Sequence, residues 1–265
     1  INAALRFINS KDDWKVHFAD TIKEGQFINN WKMVETLTKQ APKIIMELES
    51  YGVRFDRDRG GGITQKLYGG NTHKRTCHIS DRIGFEIMNG LIKQIRKRDR
   101  IMNIDNIIIT RLIKNKNGGV SGAIGISLDK GSLIAIECGA IVLATGGLGQ
   151  LYRRNTNDWE TVGDGFSLAL EVGAELQDME MVQFHPTGLA HPKKAEGILV
   201  SESLRGEGGF LINLENERFM KKYDFERMEL STRDIIARAN FLEIAEGRGT
   251  KNRGVYLDIT HKSAS

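Results

Sequence analysis

The sequence predicts an α/β fold that carries an inserted antiparallel β-meander and ends in a smaller α+β region. Apolar residues recur at helical spacing in the N-terminal part of the chain. Three short apolar segments separated by glycine-containing turns follow, which is typical of a meander. A continuous apolar run at residues 140–144 then ends at Thr145-Gly146-Gly147. Such a run predicts a strand buried on both faces, as in a parallel sheet.

Three helices are predicted in the N-terminal part. Pro42 interrupts the first helical pattern, and because proline is tolerated at the first position of a helix, we expect two helices here, the second starting at Pro42. Gly52 is the expected cap of the second helix, and a short strand at 53–55 follows. Ser80 or Asp81 is expected to cap the third helix. The apolar positions of these helices are Trp31, Val34, Leu37, Ala41, Ile44, Ile45, Leu48, Ile83, Ile87, Leu91 and Ile95.

The later elements follow from turn residues and composition. The meander strands are predicted at 107–113, 121–127 and 133–138. After the apolar run, Gly163-Asp164-Gly165 is expected to open another helix. Polar and charged loops replace the apolar elements after Asp178, which places a domain boundary near residue 180.

The composition is that of a soluble globular protein, with 40% hydrophobic and 27% charged residues. A formal net charge of +4 is mild for 265 residues. The densest basic run, residues 93–100, ends a helical pattern, where cations stabilise a helix C-terminus. Nucleic-acid binding is therefore not predicted.

The two cysteines, Cys77 and Cys138, lie far apart in sequence, so neither a disulfide framework nor a metal site is predicted and a reducing, cytoplasmic compartment is expected. The sequence has no apolar run long enough to cross a bilayer and no signal peptide, so any membrane association is expected to be peripheral. The chain begins at Ile1 without a methionine and ends shortly after a strand-like segment, which predicts an excised fragment.

The turn after the apolar run is a candidate cofactor site. Gly146 and Gly147, which follow Ala144 and Thr145, let the backbone approach a phosphate or a ring closely. Asp164 is placed to bond a sugar hydroxyl of a nucleotide. The same residues also serve in a strand-to-helix turn without a ligand and as a helix N-cap, so both interpretations stay open on the residues alone.

Charged residues after the boundary form a candidate anion site. The proline after His185 holds that histidine in an extended conformation, which presents the imidazole outward. Glu202 and Arg205 are three residues apart and can touch, either as a surface ion pair or as a buried proton relay. The flanking glycines and the apolar residues 198–200 favour burial. Arg233 begins a predicted helix, where it opposes the helix dipole and hints at a role with an anion.

Taken together, these segments resemble the flavoprotein subunits of succinate dehydrogenases and fumarate reductases, a family that includes L-aspartate oxidase. The run QFHPTG, RGEGG and RDIIARA is the most specific part of the resemblance. The matching segments, in the family's order, are INAAL, DTIKEG, YGGNTHKRT with DRIG, VLATGGLGQLYRRNTN, TVGDG, QDMEMVQFHPTGL, SESLRGEGGFLIN with ERFM, MELSTRDIIARA and YLDITH.

The resemblance implies FAD as the cofactor, a partial Rossmann-like FAD-binding domain at 1–179, and a smaller α+β capping domain at 180–265 that closes over succinate or fumarate. It also implies that electrons pass to an iron–sulfur subunit; some members add a membrane-anchor subunit. In the family the dinucleotide fingerprint precedes Ile1, and a second substrate histidine and arginine follow Ser265. The chain alone is therefore expected to bind FAD poorly and not to turn over, and the mode of FAD attachment stays open.

The resemblance also assigns the site residues. His185 and Ser201 match residues that bind a substrate carboxylate, although the family usually has threonine where Ser201 stands. Arg233 matches the arginine proposed as proton donor, and Glu202 and Arg205 match the relay that reprotonates it. Hydride transfer creates carbanion character, which a nearby proton source and clamped carboxylates stabilise.

Tyr68 favours a dicarboxylate enzyme over L-aspartate oxidase. Aspartate oxidases usually carry glutamate at this position, which can pair with the substrate ammonium, whereas tyrosine supplies no full negative charge at neutral pH. The HPTG motif at 185–188 agrees, but the longer loop at 190–197 resembles the aspartate oxidases. L-aspartate oxidation therefore stays as an alternative. A non-catalytic flavin-binding module is a second alternative, which the retained polar residues of the site disfavour.

Overall fold

The structure, a computed structural model, describes residues 1–262. In chain order the α-helices are α1 (Trp14–Glu24), α2 (Trp31–Ser50), α3 (Ile83–Arg96), α4 (Asp164–Glu171), α5 (Glu202–Gly206), α6 (Met220–Tyr223) and α7 (Arg233–Ala245). The β-strands are β1 (Gln65–Lys66), β2 (Thr76–Cys77), β3 (Ile107–Lys114), β4 (Val120–Ser127), β5 (Leu133–Glu137), β6 (Phe210–Ile212) and β7 (Tyr256–Asp258). Across residues 1–262, no helix combines the length and the apolar character that a membrane span needs.

The chain divides into two compact units. The first consists of Ile1–Ile101 together with Phe184–Ser265, and the second is Met102–Gln183. The return to the first unit at Phe184 lies close to the boundary predicted near residue 180. The predicted division into an FAD-binding domain at 1–179 and a capping domain at 180–265 is a functional one. It differs from these two compact units and stays a prediction.

Helix α2 is continuous through Pro42, so the prediction of two helices is wrong. A proline inside a helix costs about 3 kcal/mol because it removes one backbone hydrogen bond and crowds the preceding turn. Both halves of α2 nevertheless bury the same face, and each large apolar side chain on it contributes roughly 1.5–3 kcal/mol. Packing therefore outweighs the cost of the proline. The buried residues of this face are Val34, Thr38, Ala41, Ile45 and Leu48.

Two smaller predictions in this region are also wrong. Residues 53–55 form no strand, although Val53 and Phe55 are buried in the core against α2. Helix α3 begins at Ile83 with no side-chain cap. Neither Ser80 nor Asp81 caps it, because Arg82 occupies the N-cap position. Ser80 has a positive φ of 44° and donates its backbone N–H to the Asp56 carboxylate.

The second unit contains the predicted antiparallel meander, in the order β3-β4-β5. Leu112 and Ala123 of this sheet pack against Leu168 of α4. The apolar run at 140–144 is not a strand, and Val142 is 91% exposed. A strand buried on both faces needs a neighbouring strand and covering layers, and no strand within residues 1–262 pairs with this run.

The C-terminal part of the first unit is a small α+β layer. Strands β6 and β7 pair antiparallel, and α6 and α7 pack beside them. Two buried carboxylates tie this layer together: Glu229 pairs with Arg218, and Glu243 pairs with Arg248. Glu229 lies four residues before Arg233, in the short 3-10 turn that precedes α7. The core residues of the layer are Leu211, Phe219, Met220, Ile236 and Ala239.

Candidate functional site

Two extended segments bring His185 and Ser201 to the same end of a short antiparallel pair. The Val200 amide donates to the Thr187 carbonyl at 3.0 Å, and the Thr187 hydroxyl donates to the Val200 carbonyl at 2.9 Å. Farther along, segment 188–189 pairs with segment 198–199. Because the segments run antiparallel, residues just before Thr187 lie opposite residues just after Val200. His185 and Ser201, which are far apart in sequence, therefore both follow the same end of this pair.

The His185 ring is anchored through Nδ1. This atom lies 3.3 Å from the Thr187 amide nitrogen and 3.2 Å from the Thr187 carbonyl oxygen, so the Thr187 backbone holds the ring at Nδ1 and leaves Nε2 for a ligand. Burial lowers the pKa of His185, and the nearby Arg233 guanidinium lowers it further. The lowered pKa favours the neutral imidazole at physiological pH. In the tautomer whose Nδ1 accepts the Thr187 amide N–H, the Nε2–H group is a donor that suits a carboxylate ligand.

The Glu202 carboxylate joins three elements of the first unit. It is the first residue of α5, and its Oε2 accepts from Arg233 Nη2 at 3.1 Å and from Arg233 Nε at 3.3 Å. Its Oε1 accepts the Gly69 amide N–H at 3.3 Å. The Arg233 side chain is 43% exposed, whereas that of Glu202 is 16% exposed. The pair thus has a protected carboxylate and a guanidinium that faces outward.

Arg205 does not contact Glu202 as its spacing predicted. Its side chain is buried, and Nη1 donates to the Glu229 carbonyl at 2.9 Å. Nε and Nη2 have no hydrogen-bond partner within residues 1–262. Burial lowers the pKa of Arg205, the neighbouring Arg233 also lowers it, and the nearby Glu202 opposes this shift. The predicted relay therefore has its Arg233–Glu202 contact in place, and Arg205 lies near enough to act on both through its charge.

The loop that carries Tyr68 is fastened to α5. Tyr68 Oη lies 2.8 Å from Ser203 Oγ, and Lys66 pairs with Glu207 at 2.8 Å. The third contact is the Gly69 amide on the Glu202 carboxylate. A Cβ at Gly69 would lie 2.7 Å from the Ser231 carbonyl oxygen, so only glycine fits there. The sequence singled out Tyr68 only because it lacks the negative charge of a glutamate, and it did not predict a role for Ser203 or Gly69. The Tyr-Gly-Gly turn was the available sign that the backbone of this loop lies close to another element.

The predicted cofactor residues lie together in the second unit. Residues 144–147 are exposed, and their amide N–H groups donate to no acceptor within residues 1–262. Gly146 has a φ of 70°, and a Cβ at Gly165 would lie 1.9 Å from Thr145 Oγ1, so the turn packs directly on the start of α4. Asp164 is the first residue of α4 and is exposed. Free amide donors beside a helix N-terminus and an exposed carboxylate suit the phosphates and the ribose of a dinucleotide.

A protein-family model described as an FAD binding domain matches residues 1–265. The chain belongs to this family. FAD is therefore its cofactor, and the exposed donor set at 144–147 fits that group.

The relatives and a solved structure that the chain resembles are fumarate reductases and a succinate dehydrogenase. The chain is 46% identical to a subunit of the fumarate reductase (CoM/CoB) of Methanothermobacter marburgensis, covering 98% of this chain and 47% of the relative. It is 39% identical to the succinate dehydrogenase flavoprotein subunit of Rickettsia bellii, covering 99% of this chain and 45% of the relative. A solved Escherichia coli quinol fumarate reductase superposes with a TM-score of 0.89 at 32% identity, covering 95% of this chain and 45% of that one. The chain thus spans about half the length of the relatives it matches.

Proposed function

We propose that the chain is part of the flavoprotein subunit of a fumarate reductase or succinate dehydrogenase and carries part of the dicarboxylate site. The contact between Arg233 and Glu202, next to the neutral imidazole of His185, is the observation that carries this proposal. It unites an outward-facing cation, a protected carboxylate and an N–H donor in one compact unit. The 46% identity to a fumarate reductase subunit supports the same function.

The residues divide the work between binding and proton supply. His185 Nε2–H and the Ser201 hydroxyl donate to a substrate carboxylate. FAD supplies the hydride when it is bound. As hydride reaches one carbon of fumarate, negative charge develops on the other, and Arg233 delivers a proton there.

Glu202 makes an arginine acid chemically reasonable. A guanidinium rarely gives up a proton, so Arg233 without Glu202 would be a poor proton donor. Because Glu202 Oε2 lies 3.1 Å from Arg233 Nη2, a proton that reaches Glu202 from solvent can pass on to Arg233 once Arg233 has protonated the substrate. The buried charge of Arg205 stabilises the Glu202 carboxylate afterwards. Reprotonation through Glu202 then resets the site.

We extend the proposal to partners. A flavoprotein subunit passes or receives electrons through other proteins, and the two relatives named above are called subunits. We propose an iron–sulfur partner, with a membrane anchor reached through the complex and the flavoprotein on its cytoplasmic face. The name of the Methanothermobacter marburgensis relative includes CoM/CoB, and we propose thiols as candidate electron donors for this reason.

The test uses the full-length enzyme that contains this chain. Purified enzyme is assayed for fumarate reduction with a reduced viologen dye, for succinate oxidation, and for L-aspartate oxidation. Fumarate or succinate turnover that is lost in Arg233→Gln and kept in Arg238→Gln, an exposed arginine on the same helix, is the expected result. Turnover of L-aspartate without fumarate turnover would overturn the proposal in favour of aspartate oxidation. Bound flavin without any of these activities would favour a non-catalytic module.

A further inference from the structure

Three hydroxyl groups form a continuous hydrogen-bonded chain that ends at the predicted substrate ligand. Tyr68 Oη lies 2.8 Å from Ser203 Oγ, and Ser203 Oγ lies 3.1 Å from Ser201 Oγ. This hydroxyl chain runs from the Tyr-Gly-Gly loop, across the first turn of α5, to the residue that precedes α5.

The backbone fixes the geometry of this chain. The Ser203 amide N–H donates to Ser201 Oγ at 3.2 Å, which occupies one lone pair of that oxygen and sets its rotamer. The Tyr68 ring lies against Gly206, where an added Cβ would come within 3.5 Å of the ring. Neighbouring contacts on both sides of Tyr68, made by Lys66 and Gly69, hold the loop in register with α5. The three hydroxyls are therefore preorganised.

The direction of donation along the hydroxyl chain decides whether Ser201 can donate to a ligand. Each hydroxyl has one proton to donate. If Ser201 donates to Ser203, its only proton is used and none is left for a ligand, whichever way the bond between Ser203 and Tyr68 runs. If Ser203 instead donates to Ser201, the bond between Tyr68 and Ser203 needs the Tyr68 proton, and the Ser201 proton is free. A carboxylate only accepts hydrogen bonds, so its binding favours the second direction, in which each bond polarises the next.

We propose that Tyr68, acting through Ser203, is a positioning residue that makes Ser201 a donor to the substrate carboxylate and thereby favours an unsubstituted dicarboxylate. This inference rests on the proposed function. A neutral hydroxyl at the far end of the chain contributes a proton and no charge, so it stabilises a carboxylate at Ser201 without attracting an ammonium group. Without the Tyr68 hydroxyl, Ser203 Oγ accepts no proton from the loop, and Ser201 can donate to Ser203 instead of to the substrate.

The experiment measures KM and kcat for fumarate and the succinate Kd in the full-length enzyme. Tyr68→Phe and Ser203→Ala should each raise the KM and the Kd about five- to tenfold, with kcat changed by less than about twofold, because the lost hydrogen bond holds a charged ligand. The double variant should be no worse than the weaker-binding single variant, since both break one chain. Ser203→Thr, which keeps a hydroxyl, should restore binding. Tyr256→Phe, which removes an exposed tyrosine hydroxyl elsewhere in the unit, is the matched control.

The outcomes separate the two levels of the proposal. If wild-type enzyme neither turns over fumarate nor binds succinate, the proposed function fails. If it does both and the KM and Kd of Tyr68→Phe and Ser203→Ala stay at the wild-type values, only the hydroxyl chain fails. Additive losses in the double variant would also overturn it, because they indicate two independent contacts. Flavin content and thermal unfolding of each variant identify a folding defect, and Ser203→Ala then carries the test if Tyr68→Phe proves unstable.

Discussion

Arg233 Nη2 lies 3.1 Å from Glu202 Oε2, although the residues are 31 positions apart and begin two different helices. A cation in the first turn of α7 opposes the helix dipole, which alone costs stability. The Glu202 carboxylate offsets this cost, and the Gly69 amide N–H holds the carboxylate from the other side. The arrangement therefore keeps a guanidinium at a helix N-terminus, where an anionic substrate benefits from both.

Glu202→Gln should slow fumarate reduction without weakening binding. Glutamine keeps the shape of the side chain and can still accept the Gly69 amide, but it cannot pass a proton to Arg233. We expect kcat to fall about 10²–10³-fold with the KM for fumarate changed by less than about threefold. Steady-state kinetics of the full-length enzyme across a range of pH measure both quantities.

Glu226→Gln is the matched control, because Glu226 is an exposed carboxylate of the same unit. Its kinetics should equal those of the wild type. A Glu202→Gln enzyme that retains full kcat would show that protons reach Arg233 by another route. A large rise in KM with kcat unchanged would instead assign Glu202 to substrate binding.

Tyr68→Glu should shift the enzyme towards L-aspartate. The new carboxylate would stand beside α5, where it repels a dicarboxylate and attracts the ammonium of an amino acid. We expect the KM for fumarate to rise about tenfold or more. Tyr68→Gln, which is uncharged and similar in length to glutamate, separates the effect of charge from that of the lost ring. Equal kinetics of the two variants would show that charge at this position does not select the substrate.

The antiparallel meander was predictable because every signal for it is local. Turn glycines separate short apolar segments, and pairing follows directly from the tight turns. The predictions that failed depend on more distant structure. Pro42 was expected to break α2, but the face that both halves bury lies against residues from several other segments. The run at 140–144 has the composition of a doubly buried strand but no partner strand within residues 1–262.

The site divides in the same way. Spacing alone predicted a contact between Glu202 and Arg205, but the Arg205 side chain is buried and donates to the Glu229 carbonyl instead. The contact that does form, between Glu202 and Arg233, followed only from the family resemblance, since no local pattern links residues 31 positions apart. Ser203 was missed because a serine in a short polar segment carries no signal until its partner Tyr68 is placed beside it.

Gly165→Ala should weaken FAD binding in the full-length enzyme. A Cβ at this position would lie 1.9 Å from Thr145 Oγ1, so the turn at 144–147 must move away from the start of α4. We expect the fraction of enzyme that retains flavin after gel filtration to fall at least about threefold, because the free amide donors lose their alignment. Absorbance of bound flavin per protein measures this.

Gly139→Ala is the control for Gly165→Ala, since a Cβ there meets nothing within 4 Å and the position has no positive φ. Its flavin content should match the wild type. Full flavin retention in Gly165→Ala would show that the turn tolerates displacement or does not hold the cofactor. Thermal unfolding of the flavin-free protein distinguishes lost binding from a general loss of stability.

His17 should make the free energy of unfolding fall in mild acid. Its side chain is buried, its Nδ1 has no partner within residues 1–262, and burial together with the Arg75 guanidinium lowers its pKa from 6.5 to about 4. Between these values the unfolded chain binds the proton more readily than the folded chain. The contribution of neutral His17 to the free energy of unfolding is therefore fully present above pH 6.5. It declines as the pH falls through this window and is lost below about pH 4.

The expected loss from His17 alone is at most about 3 kcal/mol, from the size of the pKa shift. Denaturant unfolding of the full-length protein between pH 7 and pH 4 measures it. His17→Gln should flatten the part of the pH dependence that this residue causes, because glutamine does not titrate. An acid-induced loss of stability that persists at full size in His17→Gln would assign that loss to other groups.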